Sequence, residues 1–207
     1  MNEIAAILNT MPLPGVLAHQ QMAPSGRRPE LDKPGADAID SAVLLLLFKQ
    51  KNQIQITFIE RAEYDGIHSG QISFPGGRVE PEDADCEHAA TRETIEETGI
   101  CLPISLIGSL SDLYVPPSNF IIHPFVGFVS EIPTFEPDPR EVKNVFTVDL
   151  SWLASEKSRN EYRFYHQGKW LMAPCFMSDK HIIWGATAMI LNEFLVHLRT
   201  HGFFKTN

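Results

Sequence analysis

The chain has 207 residues, 43% of them hydrophobic and 21% charged, with a formal net charge of -9. That length and balance suit one decorated globular domain able to bury a core, and the acidic excess speaks against a broad nucleic-acid-binding face, which needs clustered Lys and Arg. Cys86, Cys101 and Cys175 form no CxxC pair and are odd in number, so reduced thiols in a cytoplasmic protein are expected and not a secreted disulfide framework.

Residues 1–40 read as a separate lead-in. The N-terminal stretch carries Glu3 and no early Lys or Arg, unlike a signal peptide. Glu3 to Leu8 suits a short helix, after which Pro12, Pro14, Pro24, Gly26, Pro29, Pro34 and Gly35 interrupt too often for regular structure. A segment of this kind either wraps a neighbouring subunit, as in a homodimer, or stays disordered.

Residues 41–200 read as the main domain and 201–207 as a tail. Ala42 to Phe48 is a continuous apolar run, the pattern of a buried strand. It falls far short of the roughly 20 residues of a membrane span. Lys51-Asn52 breaks the run, and Ile54, Ile56 and Phe58 then alternate with polar neighbours at a strand's period of two. Gln71 to Phe74 is a further short strand, which Pro75-Gly76-Gly77 should end. Residues 86–98 hold no Gly or Pro and predict a helix, with Asp83 or Asp85 as N-cap and Gly99 as its stop. Ser105 to Leu110, Ile121 to Val129 and Val142 to Val148 predict strands, and Tyr162 to Trp184 a hairpin around Gln167-Gly168. Ala186, Ile190, Leu191, Phe194, Leu195 and Leu198 form an apolar stripe at helical spacing. Mostly strands with two well-marked helices indicate an α+β sandwich in preference to a doubly wound parallel fold.

Within the first of these helices, Glu93, Glu96 and Glu97 stand at i, i+3 and i+4, which puts three carboxylates on one face. At about 4 Å and an effective dielectric near 20, each like-charged pair costs on the order of 4 kcal/mol. The face must therefore be fully solvated or meet a counter-charge. Hard divalent cations take oxygen ligands of this kind, together with substrate phosphates. Arg92 beside the triplet suits bidentate orientation of a carboxylate. Trp184 and Phe125 read as core residues, and a zinc site is not expected, the histidines being read as lacking an HxxxH or similar spacing.

Gly77, Asp83, Arg92-Glu93, Glu96-Glu97 and Gly99-Ile100 together resemble the Nudix box, G-x5-E-x7-REUxEExGU with U a bulky apolar residue. Asp83 replaces the first Glu, Thr94 takes an apolar position, and eight residues instead of seven separate Asp83 from Arg92. These departures, with His68-Ser69-Gly70-Gln71-Ile72-Ser73-Phe74-Pro75-Gly76-Gly77 as a complete HxGQxxFPGG motif, resemble the coenzyme A pyrophosphatase branch. Leu113 to Ser118, Pro124 to Gly127 and Ile183 to Thr187 extend the similarity, which covers about residues 40–198.

The resemblance implies a Nudix-like α/β/α sandwich with a mixed β-sheet between helices. It implies hydrolysis of a pyrophosphate bond with Mg²⁺ or Mn²⁺, held mainly by Glu93 and Glu97, with Glu96 as an additional ligand and the Gly76 carbonyl contributing. Arg92 would orient the acids, and Glu141, with Glu136 as runner-up, is the candidate base for the attacking water. Arg61, His68 and Gln71 are the implied substrate-side residues. The plain alternatives are a solvated acid before a strand for Glu141, a loop histidine for His68 and a surface ion pair for Arg61. With coenzyme A as the substrate, the products would be 4'-phosphopantetheine and adenosine 3',5'-bisphosphate. ADP-ribose, a dinucleotide or a nucleoside triphosphate are the alternative substrates, and a non-catalytic nucleotide-binding module is the alternative class. No nucleic-acid or membrane partner is expected.

Overall fold

The computed structural model describes residues 1–62, 70–166 and 168–204. Its centre is β1 (Ile39–Gln50), flanked by β2 (Gln53–Arg61) in an antiparallel hairpin and by β7 (Phe120–Phe128) in parallel. The hairpin turns at Lys51 and Asn52, both at positive φ (46° and 64°), the conformation a two-residue type I′ turn requires. Beyond Leu47↔Ile56 the two strands part. The fork is filled by β3 (Ile72–Ser73), paired to β2, and β4 (Gly76–Arg78), paired to β1. β5 (Ser105–Ser109) and β6 (Leu113–Val115) share the far edge of β7, and β8 (Val142–Asp149) lies on β2, so the sheet is mixed. A second antiparallel sheet contains β9 (Arg159–His166), β10 (Lys169–Ser178) and β11 (His181–Ile183).

The helices are α1 (Asn2–Leu8), α2 (Gly15–Gln20), α3 (Cys86–Thr98), α4 (Leu150–Ala154) and α5 (Gly185–Thr200). β1 is buried on both faces, which is why it reads as unbroken apolar sequence. Ala42, Leu44, Leu46 and Phe48 pack with Ala89 and Ala90 of α3, while Leu45 and Leu47 pack with Phe194 and Leu195 of α5 and Ile4 of α1. The result is the expected sandwich, a mixed sheet between helices.

Three expectations need correction. β3 does end at Ser73, before Pro75-Gly76-Gly77, but the two glycines are not loop, because Gly76 and Gly77 open β4. The approach to β1 is so close that a Cβ at Gly76 would lie 2.3 Å from the Ala42 carbonyl oxygen. The lead-in is not separate in its packing, and Gly15–Gln20 is helical despite the surrounding prolines. Ile4, Ile7, Leu8 and Met22 join the core, and polar groups of α5 hold the segment down. Glu193, fully buried, accepts hydrogen bonds from the Gly15 and Ser111 N–H groups and from His19 Nε2 at 2.8 Å. Asn192 Nδ2 donates to the Ala18 carbonyl and His197 Nε2 to that of Ile7. His197 and His201 do fall at i, i+4, a spacing the sequence reading passed over. His197 Nε2 is taken by that carbonyl, and His201 Nδ1 donates to the His197 carbonyl. Finally, the tail is partly tied down, since Phe203 and Phe204 pack back on the core. No helix among the described residues is long and apolar enough to cross a membrane.

Candidate active site

α3 carries the acidic cluster and lies over β1 and β4. Asp85 is its N-cap, accepting from the His88 N–H at 2.8 Å, and Gly99 closes it in the left-handed conformation at φ 66°. Asp83, the other N-cap candidate, has a different task. Its two oxygens take a bidentate pair from Arg92, at 2.9 Å from Nε and 2.8 Å from Nη2. Arg92 thus reaches Asp83 across the eight intervening residues. The hydrogen bonds from Arg92 hold the Asp83 carboxyl well below the usual carboxylate range. Arg92 Nη1 then reaches Glu93 at 2.9 Å and Glu96 at 3.0 Å, so one guanidinium offsets the repulsion among three acids. Thr94, at the position expected to be apolar, is buried because its hydroxyl donates to the Ala90 carbonyl at 2.7 Å.

The three glutamates do not converge. Glu96 points outward with its side chain 55% exposed, whereas Glu97 is only 4% exposed. Glu97 Oε2 accepts the Gly76 N–H at 2.7 Å. Burial pushes the Glu97 carboxyl up to about 7, against the lowering effect of Arg61 and that hydrogen bond, and the charges of Glu93 and Glu141 push the same way. Glu93 is raised too, again by burial.

Arg61 Nη2 donates to the Gly76 carbonyl at 2.9 Å and lies 3.4 Å from Glu97 Oε1. Two oxygens assigned to a cation therefore already converge on one positive charge. The donor set of Glu97, Glu93 and the Gly76 carbonyl is made of hard oxygens, which fits Mg²⁺ or Mn²⁺. Among the described residues, no three His, Cys, Asp or Glu side chains are gathered tightly enough to hold an ion by themselves.

Gly77 explains the second glycine. A Cβ there would lie 2.3–2.5 Å from the Glu93 carboxylate, which rests on this backbone. Gly77→Ala is expected to displace that carboxylate at little cost in stability, since only the end of a flexible side chain must move. A misplacement of this size lowers turnover by about 10²-fold. Thermal denaturation alongside steady-state kinetics checks both halves.

Arg61, Gln71 and the Gly76–Gly77 edge share a cavity of about 800 Å³, within the range of ligand sites. Ser73 Oγ, buried in its wall, has no hydrogen-bond partner among the described residues. Trp184, expected in the core, forms part of this wall, with its ring against Phe164 at 4.6 Å and Tyr162 at 5.2 Å. Phe125 does pack in the core, on the α3 side. Glu141 is exposed at the entrance to β8, and its backbone carbonyl accepts from the Ala62 N–H next to Arg61. Glu136, the runner-up, has its backbone against Gly99 at the far end of α3. His68 lies outside the described residues. The sequence reading missed Phe164 and Arg27, which line the cavity from the second sheet and the lead-in. No local pattern marks either; only closure of the chain brings them to residues 76–77.

A family model described as NUDIX domain matches residues 39–168, and the fold is of the same class. The chain belongs to the Nudix family. It is 33% identical over 143 residues to the human mitochondrial coenzyme A diphosphatase NUDT8, covering 68% of this chain and 60% of that protein. It is 33% identical over 181 residues to Nudix hydrolase 15, mitochondrial, of Arabidopsis thaliana, covering 83% of this chain and 61% of that protein. The matches thus span about three fifths of these relatives' own lengths. A MutT/nudix family protein from Enterococcus faecalis superposes with a TM-score of 0.55 at 17% identity, over 96% of this chain and 74% of that one, a likeness of fold alone.

Proposed function

We propose that this protein is a divalent-cation-dependent hydrolase of the diphosphate bond in coenzyme A or its derivatives, releasing 4'-phosphopantetheine and adenosine 3',5'-bisphosphate. The observation that carries the chemistry is the buried Glu97 carboxylate held on the Gly76 backbone beside the Gly76 carbonyl, at the edge of a ligand-sized cavity. The choice of substrate is supported by the relative named a coenzyme A diphosphatase.

Glu97, Glu93 and the Gly76 carbonyl would hold Mg²⁺ or Mn²⁺, with Glu96 at the outer edge of the set. The bound ion supplies Lewis acidity and an activated water. The chain itself supplies placement. Arg92 restrains Glu93 and Glu96 from one side, and the Gly76 N–H fixes Glu97. Glu141 is the proposed acceptor of the water's proton, close enough for its charge to raise Glu97. Aromatic walls at Phe164 and Trp184 suit the stacking of a nucleobase.

Incubation with coenzyme A, ADP-ribose and NADH in parallel, each with Mg²⁺ and with product masses determined, tests the assignment. Coenzyme A should be turned over fastest and yield the two named products. Faster turnover of ADP-ribose or NADH would reassign the substrate, and no turnover of any would favour a nucleotide-binding module.

A further inference from the structure

Arg61 is the last residue of β2, and the β2–β8 register shifts between Glu60 and Arg61. Such a bulge bends a strand and re-aims the side chain at it. Here the side chain is aimed at the Gly76 carbonyl and Glu97. Those are the acceptors that the proposed function gives to a divalent cation. A guanidinium and an ion cannot use the same oxygen lone pairs at once, and two positive charges that close repel. The Arg61 side chain is 29% exposed and lines the cavity, so it has room to leave.

We propose that Arg61 competes with the catalytic cation for the Gly76 carbonyl and Glu97, so that ion entry and withdrawal of the guanidinium are one event. The withdrawn guanidinium remains in the cavity, where a phosphate oxygen of the substrate is its matching acceptor. Arg61 is on this view a positioning residue that exchanges a protein carboxylate for a substrate phosphate. The two halves are coupled: an anion that holds Arg61 away also favours the ion. The inference rests on the cation-dependent reading above.

The test is Mn²⁺ binding to the full chain without substrate, followed by the electron paramagnetic resonance signal of free Mn²⁺. Arg61→Gln should bind Mn²⁺ about tenfold more tightly than the unaltered protein, equivalent to ~1.4 kcal/mol. Arg78→Gln is the control for simple loss of charge. Arg78 lines the same cavity but stacks over Phe120 at 5.9 Å, and its loss should change affinity less than twofold. Arg61→Lys keeps the charge without the planar fork, and should fall between Arg61→Gln and the unaltered protein. It also carries the test if Arg61→Gln does not fold. Unchanged or weaker Mn²⁺ binding in the Arg61 variants, or equal tightening in Arg78→Gln, overturns the proposal. If neither the unaltered protein nor any Arg61 variant binds Mn²⁺, the cation-dependent reading itself fails, and the two failures are distinguishable.

Discussion

Glu97→Gln is expected to lower turnover by on the order of 10³-fold, a loss of ~4 kcal/mol in transition-state stabilisation, while making the chelator-treated protein more stable at pH 8. The two effects share one cause. Glu97 is buried, and burial raises its carboxyl to about 7. A carboxyl raised in the folded state binds its proton more tightly there than in the unfolded chain. Its stabilising contribution is therefore complete below the unfolded value of about 4.5 and is lost as the pH rises through about 7. A shift of this size corresponds to ~3 kcal/mol. Glutamine has nothing to titrate. In chelator, the melting temperatures of the two proteins should lie close together at pH 5 and separate by about 5–10 °C at pH 8, the variant higher. Saturating Mg²⁺ should raise the unaltered protein and leave the variant nearly unmoved. Equal melting temperatures at both pH values would show that Glu97 is not held in an unfavourable charged state. Near-normal turnover in the folded variant would place the metal site elsewhere.

Glu193→Ala should lower stability by about 3–5 kcal/mol, or about 10 °C in melting temperature. Glu193 is 0% exposed and satisfies two backbone N–H groups and His19 at once. Truncation leaves the buried His19 and two half-buried N–H groups without their acceptor and releases the contact between α5 and α2. The loss should be concentrated in the lead-in. Hydrogen exchange is expected to accelerate in residues 15–22 well before the sheet, because most of the polar ties holding α2 run to Glu193 and Asn192. Uniform acceleration across β1 and α2 would instead mean that the lead-in and the sheet unfold as one unit.

Much of the architecture was legible because it is built from neighbours in the chain. The helix at 86–98 was legible because its freedom from Gly and Pro and its left-handed stop at Gly99 are local, while the choice of Asp85 over Asp83 as cap was left to the structure. β1 and β2 were legible as strands from an apolar run and an alternating run on either side of Lys51-Asn52, though not their pairing as a hairpin. The Glu93, Glu96 and Glu97 face followed from a period of 3.6 residues. What that period could not tell is that the three acids diverge, one buried and one in solvent. Which flank of a helical face is dry depends on what packs against it, in this case β4.

The sequence by itself determined the family, the acidic helix and the strands on either side of it, because a helical repeat, a cap and a turn each depend on residues a few positions apart. Only the tertiary structure decided that β4 is a strand, that Trp184 lines a cavity and that Arg61 sits on Glu97. It also decided that α1 and Met22, on either side of the first prolines, are part of the core. The bond from Gly15 to Glu193 spans 178 positions. No local preference encodes a contact of that range; it exists only once the sheet has closed and α5 has buried a carboxylate that needs partners.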